Sequence, residues 1–141
     1  MSCVFCDIVA GQAHASIVYE DETTMAFMDL MPITPGHLLV IPKAHYRNLF
    51  DVPPAVAAQL MEVGTRLARA LRRATECAGM NVHIANEAPA GQSVWHLHLH
   101  LIPRYAGDGF GLRFPPGYGR RATRAELDRM AALISQHLSD E

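Results

Sequence analysis

An α+β fold is predicted for this chain of 141 residues: an antiparallel sheet of about five strands, one long helix and a C-terminal helix. Three observations lead there. Short apolar runs bounded by turn residues occur in two groups along the chain. One long stripe at helical spacing, Val56, Leu60, Val63, Leu67 and Leu71, separates the two groups. Thr123 and Glu126 have capping-box spacing ahead of a second helical stripe. Strands interrupted by a single helix, rather than alternating with helices, favour an α+β sheet over a doubly wound one.

Taken in order, Val4, Phe5, Ile8 and Val9 predict a short helical turn that Gly11 ends. Residues 16–20 and 24–29 read as two strands of a hairpin joined through Asp21-Glu22-Thr23. Pro32 and Pro35 make 30–36 a loop, and His37-Leu-Leu-Val-Ile41 is a central strand stopped by Pro42. Asp51 or a neighbour is expected to cap the long helix, with Pro53 and Pro54 in its first turn and Gly79 as its stop. Arg66, Arg69, Arg72 and Arg73 lie mostly outside the apolar stripe and read as a solvated face. Residues 80–86 form the next strand, with Val82, Ile84 and Asn86 on one face and Asn81, His83 and Ala85 on the other. A loop over 87–93 leads to a strand over 94–105, and the glycine- and proline-rich segment to Arg121 is irregular. Leu127, Met130, Ile134 and Leu138 share one face of a C-terminal helix expected to close the domain.

Length suits one domain that buries a core without disulfides, so residues 1–141 read as a single domain with a variable tail from about 106. A net charge of -2 and a pI near 6.4, with charges dispersed, give no basic field for nucleic acid or a membrane surface. No run approaches the ~18 apolar residues of a membrane span, and no leader pattern opens the chain, so a cytoplasmic protein is expected. Three cysteines, two of them in Cys3-Val-Phe-Cys6, argue against a disulfide framework and leave thiol redox or metal binding. Redox is the weaker option, because the pair opens a short turn instead of following a strand. Cys77 reads as a small buried side chain.

The segment Val94-Trp-His-Leu-His-Leu-His-Leu-Ile-Pro-Arg-Tyr105 carries the chemistry. In a strand, Leu97, Leu99 and Leu101 turn to a core while His96, His98 and His100 line the other face. Imidazole titrates near neutrality, so the row offers nucleophiles, acids, bases or metal ligands at working pH. His96 and His100 lie roughly 13 Å apart at ~3.3 Å per residue. Two nitrogens on one zinc lie within about 4 Å of each other. The three therefore do not share one ion, although adjacent members could, and a zinc hydrolase with further ligands stays open. The spacing favours divided roles.

The sequence His96-Leu-His98-Leu-His100-Leu-Ile resembles the signature of the histidine triad (HIT) family. Cys3-Val-Phe-Cys6-Asp-Ile, Ala26-Phe-Met-Asp29, Pro35-Gly-His-Leu-Leu-Val-Ile-Pro-Lys-Ala-His45, Asn86-Glu, Gly91-Gln-Ser-Val and Ile102-Pro-Arg-Tyr are similar to family segments in the same order. The resemblance implies a nucleotide hydrolase acting at the α-phosphate of purine nucleotide phosphoramidates or dinucleoside polyphosphates, and a homodimer with paired sheets. It implies His98 as the nucleophile that forms a covalent nucleotidyl-histidine, and His100 as the group assisting the leaving group. A hydrogen bond from the second ring nitrogen of His98 to a backbone carbonyl would fix its tautomer.

By the same resemblance, Gln92, Ser93 and the backbone N–H groups of the Gly91 loop face the phosphate, with Asn86 on the partner strand. Asp29 holds ribose hydroxyls, and Phe27, Leu30 and Ile8 help form an apolar slot for the base. A family branch with an N-terminal Cys-x-x-Cys implies structural zinc on Cys3, Cys6, His45 and His96, a closed Cys₂His₂ shell that does not catalyse. The chemical step then needs no metal. His100, where transferases of the family carry glutamine, favours hydrolysis. His37 is expected to make a structural hydrogen bond near the site, while His14, His83 and His137 read as surface or strand histidines. A nucleotide-binding or regulatory protein with incidental turnover and a zinc-dependent hydrolase remain the competing classes.

Overall fold

The computed structural model describes residues 2–141, which form two compact units, one ending at Phe110 and the other spanning Gly111–Glu141. The first unit holds helix α1 (Val4–Val9), strands β1 (Ile17–Glu20), β2 (Thr24–Met28) and β3 (Leu38–Pro42), helix α2 (Pro54–Thr75), and strands β4 (Gly79–His83) and β5 (Leu99–Arg104). The five strands form one antiparallel sheet in the order β1-β2-β3-β5-β4. The α+β expectation holds.

Strand alternation divides the core in two. Ala26, Leu38, Val40, Leu99 and Leu101 face α2, whose Leu60, Val63, Leu67 and Leu71 cover them. Met25, Phe27, Leu39 and Ile41 turn the other way, onto Phe5 and Ile8 of α1. Each of these side chains except Ala26 contributes roughly 1.5–3 kcal/mol by leaving water. The long helix and the cysteine turn thus cover opposite faces of β2 and β3, and this fixes where imidazoles can emerge.

Four expected boundaries shift. The cap of α2 is Pro53, without a side-chain hydrogen bond, because the Asp51 carboxylate instead accepts from the N–H groups of Arg47 and Asn48 in the preceding loop. The same helix ends at Glu76, which takes the left-handed conformation at φ 55°, so Gly79 opens β4 and stops nothing. The strand after the helix ends at His83, and residues 84–86 leave the ladder. The histidine strand begins at Leu99 rather than 94, because β3 turns away at Pro42 and leaves the preceding segment no strand partner. Leu97 N–H donates instead to the carbonyl of Tyr46 at 2.7 Å.

Gly36 leads directly into β3 with φ +97°, and a Cβ there would lie 2.9 Å from Thr75 Cγ2 and 3.0 Å from Pro103 Cγ. Strain and overlap act together, so Gly36→Ala is expected to cost about 2 kcal/mol or more, read as a lower urea midpoint with unchanged m-value.

The second unit contains α3 (Arg124–Leu138), opened by the reciprocal Thr123–Glu126 capping box that the sequence predicts. None of its side chains is buried, and Leu127, Met130, Ile134 and Leu138 are all exposed. Phe114 and Tyr118 pack edge-to-face at 4.1 Å in the irregular segment. Among the described residues, no helix is long and apolar enough to cross a membrane.

Candidate active site

The imidazole row divides between two neighbourhoods. His96 turns its Nδ1 to Cys3 Sγ at 3.4 Å and Cys6 Sγ at 3.6 Å, while His45 Nδ1 lies 3.3 Å from Cys6 Sγ. Bonds of ~2.3 Å to sulfur and ~2.0–2.1 Å to nitrogen give a tetrahedral S···N edge of about 3.6 Å. One donor atom from each of Cys3, Cys6, His45 and His96 lies within 4.8 Å of the others, so the set fits a tetrahedral cation with no open position. His96 Nε2 is 2.8 Å from the Pro42 carbonyl, which only accepts. The ring proton therefore sits on Nε2, and the Nδ1 lone pair faces the sulfurs, as a ligand requires. Burial, with Cys3 alongside, pushes the Cys6 thiol up to about 11 without a cation, so a cation is what would make its thiolate accessible.

His98 is buried, and its Nδ1 lies 2.7 Å from the carbonyl of His96. The carbonyl only accepts, so Nδ1 carries the proton and Nε2 keeps a lone pair. Burial lowers the pKa of this ring and keeps it neutral at pH 7. Phe5 packs edge-on against it at 5.3 Å and fixes the ring plane.

For His100 the logic runs the other way. The backbone N–H of Ile33 donates to His37 Nδ1 at 3.0 Å, which puts the His37 proton on Nε2. That Nε2–H faces His100 Nδ1 at 2.9 Å and Asp29 Oδ2 at 3.4 Å. His100 Nδ1 therefore accepts, and neutral His100 carries its proton on Nε2. Burial first, then the neighbouring His98, His83 and His37, lowers the His100 pKa to about 3. Asp29, His37 and His100 also offer three donor atoms within 4.8 Å of one another, but the Ile33 N–H occupies the His37 lone pair and leaves Nε2 protonated. This trio is a hydrogen-bond relay rather than a cation site.

The remaining predicted residues are only partly brought together. Gln92 is buried, and its amide donates to the carbonyls of Arg47 and Val94 and accepts from Asn48 Nδ2 and Glu87 N–H. Its side chain is fully used inside the protein and does not serve a phosphate; it ties the 87–93 loop to the 45–51 loop. Asn48 donates to Glu87 as well, and Arg47 grips the same carboxylate in two hydrogen bonds of 2.8 Å, which hold Glu87 below the usual carboxylate range. Ser93 is exposed at the end of this clamped loop. Asn86 Oδ1 accepts from Leu49 N–H at 2.8 Å, leaving its amide group with one long contact of 3.5 Å to Ile84. Asp29 Oδ1 caps the Met31 N–H at 2.9 Å while Oδ2 faces His37. Phe27 and Ile8 are core residues, whereas Leu30 is 95% exposed.

A cleft of about 970 Å³ lined by Cys3, Cys6, His45, Arg47, Ser93 and Trp95 adjoins the Cys/His cluster, with neither His98 nor His100 in its wall. Sequence reasoning missed Phe5, Asn48 and His83 as site residues. His83 pairs with His100 across β4 and β5, and the two rings stack at 4.5 Å. Its place opposite a triad histidine was not legible without the strand register.

The rings of His37, His98 and His100 share a direction of shift, each held below 6.5 in the fold chiefly by burial. Their unfolded forms bind protons first as pH falls, so the stability they allow is complete above pH 6.5 and is lost as pH drops towards the folded values. Unfolding is expected to take up more than one proton near pH 5.5, a loss above ~1.4 kcal/mol per pH unit. Urea titrations between pH 7.5 and 5 read this; a flat midpoint over that range contradicts it.

Sheet order, the two opposed imidazole tautomers and the neighbouring Cys/His cluster together define an α+β protein of the histidine triad type. The chain belongs to the HIT family: the HIT domain model matches residues 10–107. It is 46% identical over 111 residues to "Protein hit" of Bacillus subtilis, covering 78% of this chain and 77% of that protein. It is 38% identical over 106 residues to the adenylylsulfatase HINT3 of Arabidopsis thaliana, covering 75% of this chain and 54% of that protein. The crystal structure of a zinc-bound histidine triad family protein from Mycobacterium smegmatis superposes with a TM-score of 0.75 at 43% identity, covering 100% of this chain and 99% of that one. The family is one of nucleotide-binding proteins and hydrolases.

Proposed function

We propose that this protein is a nucleotide hydrolase that cleaves at the α-phosphate of purine nucleotide phosphoramidates, dinucleoside polyphosphates or related AMP conjugates. One observation supports this most strongly. Adjacent imidazoles with ring centroids 4.7 Å apart are held in opposite tautomers, His98 with an Nε2 lone pair and His100 with an Nε2–H. The first is a nucleophile and the second a donor.

In this reading His98 Nε2 attacks phosphorus as the bond to the leaving group breaks, giving a nucleotidyl-histidine. Positive charge on the ring is shared with the His96 carbonyl through Nδ1–H. His100 Nε2–H hydrogen-bonds the bridging atom, and a basic leaving group departs with a proton that the ring takes up from solvent as the substrate's negative charge raises the His100 pKa, so the ring ends neutral. Water then attacks phosphorus and gives up one proton through His100 to solvent, the P–N bond breaks, and His98 returns to its starting tautomer. Ser93 and the Asn86 amide receive the phosphate charge, and Asp29 takes the ribose hydroxyls, whereas the N–H groups of Gly91 and Gln92 already donate to the Ala88 and Glu87 carbonyls and only shape the loop. Gln92 holds that loop in shape.

Zinc on Cys3, Cys6, His45 and His96 belongs to the same proposal, as a staple between α1 and the segment before β5; the donor spacing and the zinc-bound relative support it. Its chemistry there is structural, because four protein ligands leave no position for water. A homodimer in the cytoplasm completes the reading, carried by family likeness and by β4 being an edge strand.

The test is product analysis with AMP linked to an alkylamine, to sulfate or to a second nucleoside through phosphates. Release of AMP with one oxygen-18 from labelled water places the attack at the α-phosphate; label in the leaving group, or no turnover of any of them, overturns the proposal.

A further inference from the structure

We infer that His83 is a positioning residue for His100, clamping that ring face-on so that it presents its Nε2–H outward. The inference rests on the hydrolase reading for its catalytic meaning and on geometry for its existence. His83 ends β4 directly opposite His100 in the register, and the two ring centroids lie 4.5 Å apart with the planes inclined by only 14°. His37 grips the edge of the same ring through Nδ1 at 2.9 Å, and His98 leans on it at 4.7 Å and 58°. A hydrogen bond to Nδ1 leaves rotation about that contact open; a parallel ring on the face removes it.

The surroundings explain why an imidazole suits this place. The groups around the pair are His98 just before β5, His37 ahead of β3 and Asp29 in the loop before it. All the imidazoles are driven toward the neutral form by burial, His83 included, although its outer side is exposed on the edge strand. A neutral ring there shields His100 from water without adding charge beside the phosphate. His83 makes no side-chain hydrogen bond among the described residues, so what it gives the site is its flat face.

Two readouts separate positioning from a generic packing role. The full-length zinc-loaded protein with ¹⁵N-labelled histidine shows ring tautomers directly, and His100 in the wild type is expected as one Nε2–H form. His83→Ala, and His83→Thr as a ringless variant suited to a strand, are expected to keep the Nε2–H tautomer that His37 fixes, but to broaden and shift the His100 ring resonances as the ring turns about that one contact, and to raise its titration by a unit or more. His83→Phe keeps the face and is expected to restore the wild-type pattern.

Kinetics then reads the consequence. For AMP linked to an alkylamine, whose departure needs a proton, the ringless variants are expected to lose kcat about 10-fold or more, with Phe within about threefold of wild type. For adenylyl sulfate, whose leaving group needs no proton, kcat is expected to stay within about twofold in all of them. Unchanged His100 ring resonances and titration in the ringless variants overturn the inference, as does an equal loss on both substrates. Should the wild type turn over neither, the hydrolase reading fails while the ring spectra still decide the role of His83.

Discussion

Replacing His98 by alanine is expected to lower turnover of an AMP phosphoramidate by at least ~10³-fold while AMP binding stays within a few-fold of wild type. The size follows from what the ring supplies. Its Nε2 would make the only covalent bond to phosphorus, and no second lone pair stands ready beside it, since His100 Nδ1 is engaged by His37. The fold should survive, because the neighbours of His98 are held independently. Leu97 and Leu99 lie in the α2-side core, and Phe5 packs on Phe27 at 5.2 Å as well as on the lost ring. Isothermal titration with AMP and steady-state rates on the same preparation check both halves. Loss of binding together with rate points to misfolding, and retained rate removes His98 from the chemistry.

The second large effect concerns the Cys/His cluster. Stripping bound metal with a chelator, or replacing Cys6 by serine, is expected to lower Tm by roughly 10 °C and to leave the rate per folded molecule near its starting value. The cluster joins residues far apart in sequence, with His96 Nδ1 to Cys3 Sγ at 3.4 Å bridging the N-terminal turn and the segment before β5. Without a cation, two thiols and two imidazoles are left facing one another with few partners. Phe5 and Ile8 still anchor α1 in the core, which is why the loss falls short of unfolding. If chelation instead stopped turnover at once, reversibly and with Tm unchanged, metal-activated water would take the place of His98 in the account.

Most of the frame was legible in the sequence, and what was missed has physical causes. The leucines between the histidines predicted a buried face, and Leu97, Leu99 and Leu101 are indeed in the core. Spacing alone predicted that His96 and His100 would part company, and they sit in different clusters. The strand itself was read too long, because alternation persists through an extended segment whether or not a neighbour pairs with it. At His96 the neighbour is a loop, and the Pro42 carbonyl takes the ring proton in place of a ladder partner.

Helix ends were read from residue type where tertiary bonds decide. Asp51 is a good cap by composition, yet its carboxylate is already committed to the loop behind it. Gln92 shows the same limit from the functional side. A loop amide next to a serine and a glycine looks available for phosphate, and only the fold shows its hydrogen bonds spent on Arg47, Asn48, Glu87 and Val94. His37 and His83 lie 63 and 17 positions from His100 in sequence, so their convergence on one ring depends on register across three strands.

The proposed catalysis rests on a covalent bond at His98, which intact-protein mass spectrometry under rapid quench reads as a change in mass. The full-length protein is mixed with adenosine 5′-phosphoramidate, quenched within milliseconds in base to preserve an acid-labile P–N bond, and compared with His98→Ala. A mass increase of one adenylyl group is expected in the wild type, mapped to His98 and absent from the variant. Turnover with no adduct, and with His98→Ala still active, would contradict covalent catalysis there.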